Sequence, residues 1–385
     1  MRWAVLVLIL VCAGLAQVVA GRLAESLLNP VVEGPLGTLS DEALALHRGS
    51  EVADLHADSL LFGRDLLERA SRGHLDLPRM LEGGMALQVF SVVTKAPVGY
   101  DLERTDGDRP DYVTLLALQQ LWPIATYTSL HERVLYQGRR LEDMADRSDG
   151  RLRLLRSRED LERLLEARRA GEAAVGALLA IEGSHALASD FDADLEALFE
   201  QGLRMASFTH FFDNDFAGSV NGLEKGGLTP RGRALVAAFE RMGIAIDLSH
   251  ASVATVADVL AIARKPVVVS HTGVYGTCDR DKNVSDDQIR AIAANGGVIG
   301  IGLWDTAVCG TTAADTVRAM RHVIDLVGDA HVGLGSDFDG VILAHFDVTG
   351  LPHLTQALLD AGLAPDSIRR ILGGNVLRVL HATLP

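Results

Sequence analysis

The stretch GIAIDLSHASVATVADVLAIARKPVVVSH, residues 243–271, decides the fold. Two short apolar runs, 244–250 and 266–271, each end in Ser-His, and a helical pattern lies between them. Ser252 precedes that pattern, and serine is a strong N-cap because its hydroxyl accepts a hydrogen bond from the first helical turn. Strand, helix and strand in this order predict a βαβ unit with two parallel strands.

The same alternation continues through the rest of the chain. Apolar runs that fit strands occur at 52–58, 85–93, 175–183, 203–210, 244–250, 266–271, 297–304 and 331–337. Helical patterns lie between them, with starts at Thr229-Pro230, Ser252 and Ser285. Eight βα units favour a closed parallel barrel over an open sheet, because a barrel leaves no edge strand. The predicted fold is an α/β (β/α)8 TIM-like barrel.

Two segments interrupt the period. Residues 94–170 separate the second and third predicted strands and contain helical patterns at 112–146 and 157–169, with Pro123 kinking or ending the first. We interpret this insertion as a lid or flank of the barrel. Residues 211–227 predict a long loop after the fourth strand. No linker separates a second domain, so residues 22–385 are predicted to form a single domain.

The first 21 residues carry a different signal. Arg2 precedes an unbroken apolar run from Trp3 to Ala16, which is typical of a signal peptide. Continued to Ala20, the run is nearly the ~20 residues that span a bilayer, so an N-terminal membrane anchor is the alternative. We therefore expect an exported protein, periplasmic or extracellular, whose leader is either cleaved or kept as an anchor.

Composition limits the classes of partner. The chain has 385 residues, 48% hydrophobic and 23% charged, which is typical of a globular protein. Its 36 Lys and Arg against 51 Asp and Glu give a net charge of −15, which repels nucleic acid phosphates and anionic lipid head groups. Nucleic acid is therefore not an expected partner. The sequence contains no G-x-x-x-x-G-K-[ST] motif, the phosphate-binding loop that a phosphate-transfer or nucleotide-binding enzyme would need.

The three cysteines, Cys12, Cys278 and Cys309, are too few for a disulfide framework and form no Cys-x-x-Cys pair. A single Cys278–Cys309 bridge is possible but not expected. The sequence leaves open whether the chain forms a homodimer.

Ionisable side chains follow the predicted strands at the end where a (β/α)8 barrel carries its active site. His56 and Asp58 alternate along the first strand and therefore face the same side. Glu182 ends the third strand, and His250 and His271 end the fifth and sixth. Burying such groups together is costly unless a metal compensates their charge. The pattern therefore predicts a metal site.

The ligand types indicate the metal. Imidazole and carboxylate without thiolate favour Zn²⁺, with Mn²⁺, Co²⁺ or Fe²⁺ as substitutes. Five ligands exceed the three that a catalytic zinc ion usually takes from the protein, which argues for two ions sharing a carboxylate. Glu182 is the natural bridge because it lies in chain order between the two pairs. Two zinc ions per subunit are the expected cofactor.

Two further side chains fit catalytic roles. Asp337 ends the eighth strand and is expected to transfer a proton, with Asp339 as the alternative. His210 ends the fourth strand, and we assign it polarisation of the transition state against the alternative of a structural hydrogen bond. His185, three residues after Glu182, is a candidate for a supporting position behind the ligands.

Nine segments carry a second signal: DLHAD (54–58), AIEGSHAL (180–187), FTH (208–210), GLTPRG (227–232), GIAIDLSH (243–250), VVVSH (267–271), KNVSDDQI (282–289), GLGSDFDGV (333–341) and LGGNVLRVL (372–380). Together they resemble the membrane dipeptidase (renal dipeptidase) family, a branch of the amidohydrolase-like metal-dependent barrels. The resemblance implies two zinc ions, one held by His56 and Asp58 and one by His250 and His271, with Glu182 bridging both.

The resemblance also implies hydrolysis of dipeptides, often with tolerance for a D-residue or dehydro-residue at the C-terminal side. In the expected mechanism, two metal ions lower the pKa of a bridging water, and the resulting hydroxide attacks the scissile carbonyl. The alternative is a lactonase or an amidase for N-acylated amino acids, because either would keep every ligand and change only the pocket.

One position departs from the family's pattern. The family usually has Arg before Asn to bind the terminal carboxylate of the substrate, whereas this sequence has Lys282 before Asn283. Lysine keeps the positive charge but lacks the planar fork that binds a carboxylate with two parallel hydrogen bonds. Arg280 is an alternative partner for the carboxylate, and a third interpretation is that Lys282 is a solvated loop charge.

Overall fold

The computed structural model describes residues 19–187 and 191–385. The predicted signal peptide or anchor comprises residues 1–21, and of these only positions 19–21 are described. Cys12 therefore lies outside the described residues. Within the described ranges, no helix is both long enough and apolar enough to cross a membrane.

The described part of the chain contains nine strands, and their pairings are parallel. They are β1 (Val52–Ala57), β2 (Met85–Val93), β3 (Leu152–Leu154), β4 (Val175–Glu182), β5 (Leu203–Ser207), β6 (Ala245–Asp247), β7 (Val268–Thr272), β8 (Val298–Ile301) and β9 (Val332–Leu334). All except β3 close into a barrel in the order β1-β2-β4-β5-β6-β7-β8-β9, and β9 pairs back with β1. The predicted (β/α)8 TIM-like barrel is confirmed, since each predicted strand overlaps a barrel strand.

Both faces of the barrel strands are covered. Every residue of β2 and of β4 is buried, because one face lines the interior of the barrel and the other packs against helices. This burial explains why the strands read as nearly continuous apolar runs. The short strand β3 was not predicted, and it pairs only with the first residues of β4.

Helices surround the barrel. They are α1 (described over 19–28), α2 (Asp41–Arg48), α3 (Leu77–Glu82), α4 (Tyr112–Gln119), α5 (Leu130–Arg147), α6 (Arg158–Arg169), α7 (Phe191–Gln201), α8 (Pro230–Met242), α9 (Val253–Ile262), α10 (Asp286–Ala294), α11 (Asp305–Val308), α12 (Ala313–Val327), α13 (Leu351–Asp360), α14 (Pro365–Arg369) and α15 (Asn375–Thr383). Single 3-10 turns occur at Ser59–Leu61, Ile124–Tyr127, Ser184–Ala186, Asp329–His331 and Val348–Gly350, and a π-helical turn, Arg370–Gly374, joins α14 to α15.

The predicted helix starts are confirmed by their caps. The side chains of Thr229, Ser252 and Ser285 accept hydrogen bonds from backbone N–H groups in the first turns of α8, α9 and α10. Such a cap stabilises a helix by about 1 kcal/mol because it pairs a donor that the helix itself cannot satisfy. These caps explain why helix starts could be predicted from single residues.

The insertion between β2 and β4 contains α4, α5, β3 and α6. Its first helix ends at Gln119, and Leu121 then adopts a left-handed φ of 55° ahead of Pro123. Pro123 therefore lies after the end of this helix and does not kink it. Ser129 caps α5, which begins a new helix at Leu130.

Cys278 and Cys309 form a disulfide, with Cα atoms 5.4 Å apart. The sequence did not favour this bridge, because three cysteines are too few for a disulfide framework, and the two cysteines lie 31 residues apart in the chain. They meet because β7 and β8 are parallel neighbours, so the segments that follow these strands emerge at the same end of the barrel. The disulfide joins the loop after β7 to the end of α11.

The loop after β9 is fastened by a buried ion pair. Asp339 is paired with Arg64, and its carboxylate also accepts hydrogen bonds from Ser59 Oγ at 2.5 Å and from the backbone N–H of His74 at 2.6 Å. Although burial opposes the charged form, Arg64 and His74 hold the pKa of Asp339 below its usual value. The pair joins the loops after β1 and β9, which both carry predicted site residues.

We expect Asp339→Asn to lower the free energy of unfolding by about 3 kcal/mol, because it removes one partner of a buried ion pair. Urea unfolding followed by circular dichroism measures the change. The control is Asp366→Asn, which removes an 83% exposed carboxylate paired with Arg369 and should change stability by less than about 0.5 kcal/mol. Equal losses in the two variants would show that the buried pair does not stabilise the loop.

Candidate metal centre

Glu182, at the end of β4, is the centre of the site. Its Oε1 lies 2.9 Å from His250 Nε2 and 3.5 Å from His271 Nε2, and its Oε2 lies 3.8 Å from His56 Nε2. His56 Nε2 is also 3.3 Å from Asp58 Oδ1. The structure thus brings together the five side chains that the sequence indicates as metal ligands, and all five are buried.

Among the described residues, three overlapping groups of side chains place their ligand atoms within 4.8 Å of one another: His56, Asp58 and Glu182; Glu182, His210 and His250; and His56, His271 and Asp337. The first group has the composition expected from the sequence. The second contains His210, and the third contains Asp337, two side chains to which the sequence assigned catalytic roles. All three groups belong to one cluster, because Glu182 and His56 each occur in two of them.

The cluster contains buried polar atoms that lack a hydrogen-bond partner in the described part of the chain. His56 Nε2 and Asp58 Oδ1 are two of them. Buried polar atoms are normally paired, because leaving one unpaired costs about 1–3 kcal/mol. A cation would accept both an imidazole lone pair and a carboxylate oxygen, so the residues present fit a metal ion.

The charges of the cluster also suit a cation. Although burial opposes an ionised carboxylate, His210 and His56 lower the pKa of Glu182 well below its usual value. Burial lowers the pKa of His250 to about 4 and lowers the pKa of His271 as well. Near neutral pH Glu182 is therefore an anionic carboxylate, and His250 and His271 are neutral imidazoles, which are the forms that bind metals. His56 differs: although burial opposes its charged form, Asp58 and Glu182 raise its pKa to about 10, so a metal ion would have to displace a proton from this imidazole.

Two site residues have unusual backbone angles. His250 has a φ of 61° and Asp337 a φ of 60°, in the left-handed region that residues other than glycine rarely adopt. Each lies three residues after the end of its strand, β6 or β9. Such angles cost on the order of 1–3 kcal/mol and persist where the surrounding structure enforces them, commonly at functional sites.

Two supporting residues, Asp247 and Ser270, were missed in the sequence. Ser270 Oγ donates a hydrogen bond to Asp247 Oδ2 at 2.6 Å and lies 3.0 Å from His271 Nδ1 and 3.3 Å from His56 Nδ1. Because its one proton goes to the carboxylate, the Ser270 oxygen can accept from an imidazole Nδ1–H. This arrangement leaves the Nε2 lone pairs of His56 and His271 facing the cluster. The signal that could have revealed Asp247 is a carboxylate inside an otherwise apolar run.

His210 is held by ring packing. Its Nε2 lies 3.5 Å from Glu182 Oε2, and its ring stacks on Phe211, with centroids 3.8 Å apart. Phe211 in turn stacks on Tyr100 of the insertion, with centroids 4.3 Å apart. His210 Nδ1 makes no hydrogen bond to any described residue. The packing therefore orients the imidazole without a hydrogen bond at that nitrogen.

Asp337 and Asp339 have different surroundings. Asp337 Oδ1 lies 3.9 Å from His56 Nε2, and burial raises the pKa of Asp337 to about 8. Asp339 is instead committed to the ion pair with Arg64. Of the two carboxylates that the sequence offers for proton transfer, only Asp337 belongs to a candidate ligand group among the described residues.

Lys282 and Arg280 occupy different parts of the loop after β7. Lys282 Nζ lies 5.3 Å from the centre of the Trp304 ring, and Lys282 lines a small cavity together with His250 and His271. Arg280 is exposed and lines an outer cavity of about 250 Å³, which Lys282 and Trp304 also line. Lys282 therefore lies between the outer cavity and the histidines of the cluster.

His185 lies beside the cluster without joining it. Its Nε2 is 2.8 Å from Thr94 Oγ1, and its ring packs against Phe212, with centroids 4.7 Å apart. Burial lowers the pKa of His185 to about 3. It belongs to no candidate ligand group in the described ranges.

The chain has relatives among known proteins. Residues 40–384 match the family described as Membrane dipeptidase (Peptidase family M19). The chain is 34% identical over 328 residues to dipeptidase verJ of Clonostachys rogersoniana, a match that covers 80% of this chain and 83% of that protein. It is 39% identical over 218 residues to dipeptidase aclJ of Aspergillus oryzae, a match that covers 54% of this chain and about half, 51%, of that relative.

A solved structure gives a further comparison. It is a metallo peptidase from Rhodobacter sphaeroides, liganded with a phosphinate mimic of the dipeptide L-Ala-D-Ala. The two structures superpose with a TM-score of 0.69 at 26% sequence identity. The match covers 87% of this chain and 99% of the other.

We expect Ser270→Ala to weaken Zn²⁺ binding about 10- to 100-fold, because it removes the hydroxyl that orients two imidazoles. Competition with a chromogenic chelator measures the dissociation constant without an activity assay. The control is Ser148→Ala, which removes an equally buried hydroxyl whose partners are the backbone carbonyls of Ala145 and Leu152 and the N–H of Leu152. Unchanged zinc affinity in Ser270→Ala would rule out the orienting role.

Proposed function

Because the chain belongs to the membrane dipeptidase family, Peptidase family M19, whose members are metal-dependent hydrolases, we propose that it is a zinc-dependent dipeptidase with two ions per subunit. The proposal is carried by the cluster around Glu182, in which buried imidazole and carboxylate atoms converge and two of them, His56 Nε2 and Asp58 Oδ1, lack a hydrogen-bond partner in the described part of the chain. The residues that would hold the ions are His56 and Asp58 on one side, His250 and His271 on the other, and Glu182 between them.

Held by these residues, two divalent ions would supply an activated water molecule and would polarise the scissile carbonyl. Asp337 accepts the proton of that water and donates it to the amine that leaves, which is general acid–base catalysis. A carboxyl group suits this exchange when its pKa lies near the working pH, and burial raises the pKa of Asp337 to about 8.

His210 stabilises the negative charge that develops on the carbonyl oxygen of the substrate. A hydrogen-bond donor acts most strongly when it is already oriented and shielded from water. The stack of His210 on Phe211 and the burial of its ring meet both conditions.

Lys282 binds the free carboxylate of the dipeptide through its ammonium group. Its position between the outer cavity and His250 supports this role over Arg280, which is exposed. A point charge tolerates several carboxylate orientations, whereas an arginine fork selects one. This tolerance, with the L-Ala-D-Ala mimic bound by the Rhodobacter sphaeroides relative, supports dipeptides with a C-terminal D-residue as substrates.

We also propose that the protein acts outside the cytoplasm, in the periplasm or the extracellular space. The apolar run from Trp3 to Ala16 supports export. The Cys278–Cys309 disulfide supports it independently, because disulfides persist in oxidising compartments.

Lys282→Met is expected to raise KM for L-Ala-D-Ala about 10- to 100-fold and to change kcat little, because a hydrogen bond to a charged group contributes ~1.5–3 kcal/mol. Steady-state kinetics with the dipeptide and its C-terminal amide measure the effect. Lys282→Arg keeps the positive charge and should therefore keep KM for the dipeptide low. Arg280→Met is the matched control, and a larger rise in KM in that variant would assign the carboxylate to Arg280.

The decisive experiment for the function combines metal analysis with a substrate panel. We expect about two zinc ions per chain by mass spectrometry and chelator-sensitive hydrolysis of L,L- or L,D-dipeptides. Asp337→Asn should keep both ions and lower kcat about 10²- to 10⁴-fold, because it removes the group that transfers the proton.

Each other outcome of that experiment rejects a defined part of the proposal. Loss of an ion in Asp337→Asn would make this residue a ligand. Turnover of lactones or N-acylated amino acids without dipeptide cleavage would keep the metal centre and replace the substrate. Protein that binds no metal after reconstitution with zinc would reject the metal mechanism itself.

A further inference from the structure

Helix α1 carries an exposed apolar stripe. Val19, Leu23 and Leu27 are 62%, 59% and 71% exposed. Residues four positions apart lie on the same side of a helix, so these three side chains form one continuous row. The opposite side of α1 faces the protein, where Glu25 is buried and Leu28 packs against the cluster of Phe62.

Residues 112–124, which begin with α4 and are called the α4 segment below, carry a second exposed apolar stripe. Its members are 57%, 47%, 72% and 81% exposed: Leu115, Leu118, Leu121 and Ile124. The chain has no charged residue from position 112 to position 130, although 23% of its residues are charged overall. Other side chains of the segment, including Ala117 and Trp122, already supply its buried contacts. The exposed leucines are therefore not needed to pack this segment.

The two stripes lie on neighbouring elements of the protein surface. α1 and the α4 segment line a shared cavity of about 390 Å³, with Gly21 and Glu25 on one side and Leu116 and Leu121 on the other. The two elements are close, since a Cβ atom added to Gly21 would lie 2.7 Å from Gln119 Nε2. We call this surface the apolar face; it consists of Val19, Leu23, Leu27, Leu115, Leu118, Leu121 and Ile124.

We propose that the apolar face lies on the surface of a lipid bilayer. A contiguous exposed patch of large apolar side chains usually marks an interaction site. A helix whose apolar stripe stays unpaired in the folded protein has the character of elements that lie in the membrane interface. The proposal concerns attachment and does not depend on the reaction that the metal centre performs.

Continuity with the N-terminal sequence favours a bilayer over a second copy of the chain. The uncharged apolar run from Trp3 to Ala20 leads directly into α1. Val19 belongs both to that run and to the apolar face. A run of this length inserted in a bilayer would hold α1, and with it the α4 segment, against the membrane surface.

The charges around the shared cavity fit anionic lipid head groups. Arg22 and Arg72 line it. Glu25 is the only carboxylate among the described residues that line the cavity, and it is buried in ion pairs with Arg64 and Arg72. Arginines near an anionic membrane surface each contribute about 1 kcal/mol of attraction. Because Arg72 is already paired with Glu25, Arg22 is the residue of the cavity lining whose charge is available to a head group, in a chain whose net charge is −15.

The test is hydrogen exchange of the full-length protein with and without vesicles of phosphatidylcholine and phosphatidylglycerol. We expect vesicles to slow the exchange of amides in 19–28 and 112–124 and to leave those of α12 unchanged. In flotation assays, Leu118→Glu/Leu121→Glu should bind vesicles at least about 10-fold more weakly than the wild type, because the double substitution removes two apolar side chains from the contact. Vesicles of phosphatidylcholine alone should bind less protein, since they lack anionic head groups.

The control variant is Val253→Glu, which introduces a charge at another exposed apolar residue, 66% exposed, and should bind vesicles like the wild type. Unchanged circular dichroism and an unchanged urea unfolding midpoint in Leu118→Glu/Leu121→Glu would show that its fold is intact. Vesicle binding without slower exchange in 112–124 would overturn the proposal, because the N-terminal run alone would then be the attachment. Protection that grows with protein concentration in the absence of vesicles, with a dimer by light scattering, would assign the face to a second copy.

Discussion

The burial of one carboxylate among four imidazoles is the constraint on which the rest of this structure depends. Glu182 has His56, His210, His250 and His271 within 3.8 Å of its oxygens. Such a group is stable inside a protein only if its charge is compensated, because desolvation of an ion costs several kcal/mol. The histidines come from different strands or the loops that follow them, so only a closed barrel brings them to one point.

Further from Glu182, other buried carboxylates hold the site in shape. Asp247 acts through Ser270 on two imidazoles, and Asp339 acts through Arg64 on the loop that carries Asp337. The left-handed backbone of His250 is held by other contacts, since its carbonyl accepts hydrogen bonds from Thr209 Oγ1 and from the N–H of Val220. The buried carboxylates therefore support the site from outside, because they orient the side chains and loops that carry the candidate ligands.

The sequence predicted the barrel and its strand ends well, because each strand is an apolar run that stops at a polar residue. The caps at Ser252 and Ser285 are local signals, which is why the helix starts were also predicted. Spatial relations between distant residues were not predicted. The Cys278–Cys309 bridge, the approach of Ser270 to His56 and the apolar face all depend on which elements become neighbours, and periodicity along one element does not contain that information.

Closure of the barrel determines when the metal centre can form. β1 pairs with β9, and Ser336 bonds to Asp54 across 282 residues of chain. During synthesis, His56 leaves the ribosome long before His271, so the first ligands are present for some time without the later ones. The sheet also keeps unpaired edges until β9 pairs with β1. The centre therefore forms late in folding, after most of the chain has been synthesised. The ion that the centre acquires is set by the metals available in the compartment where the last strand joins, as well as by the ligands themselves.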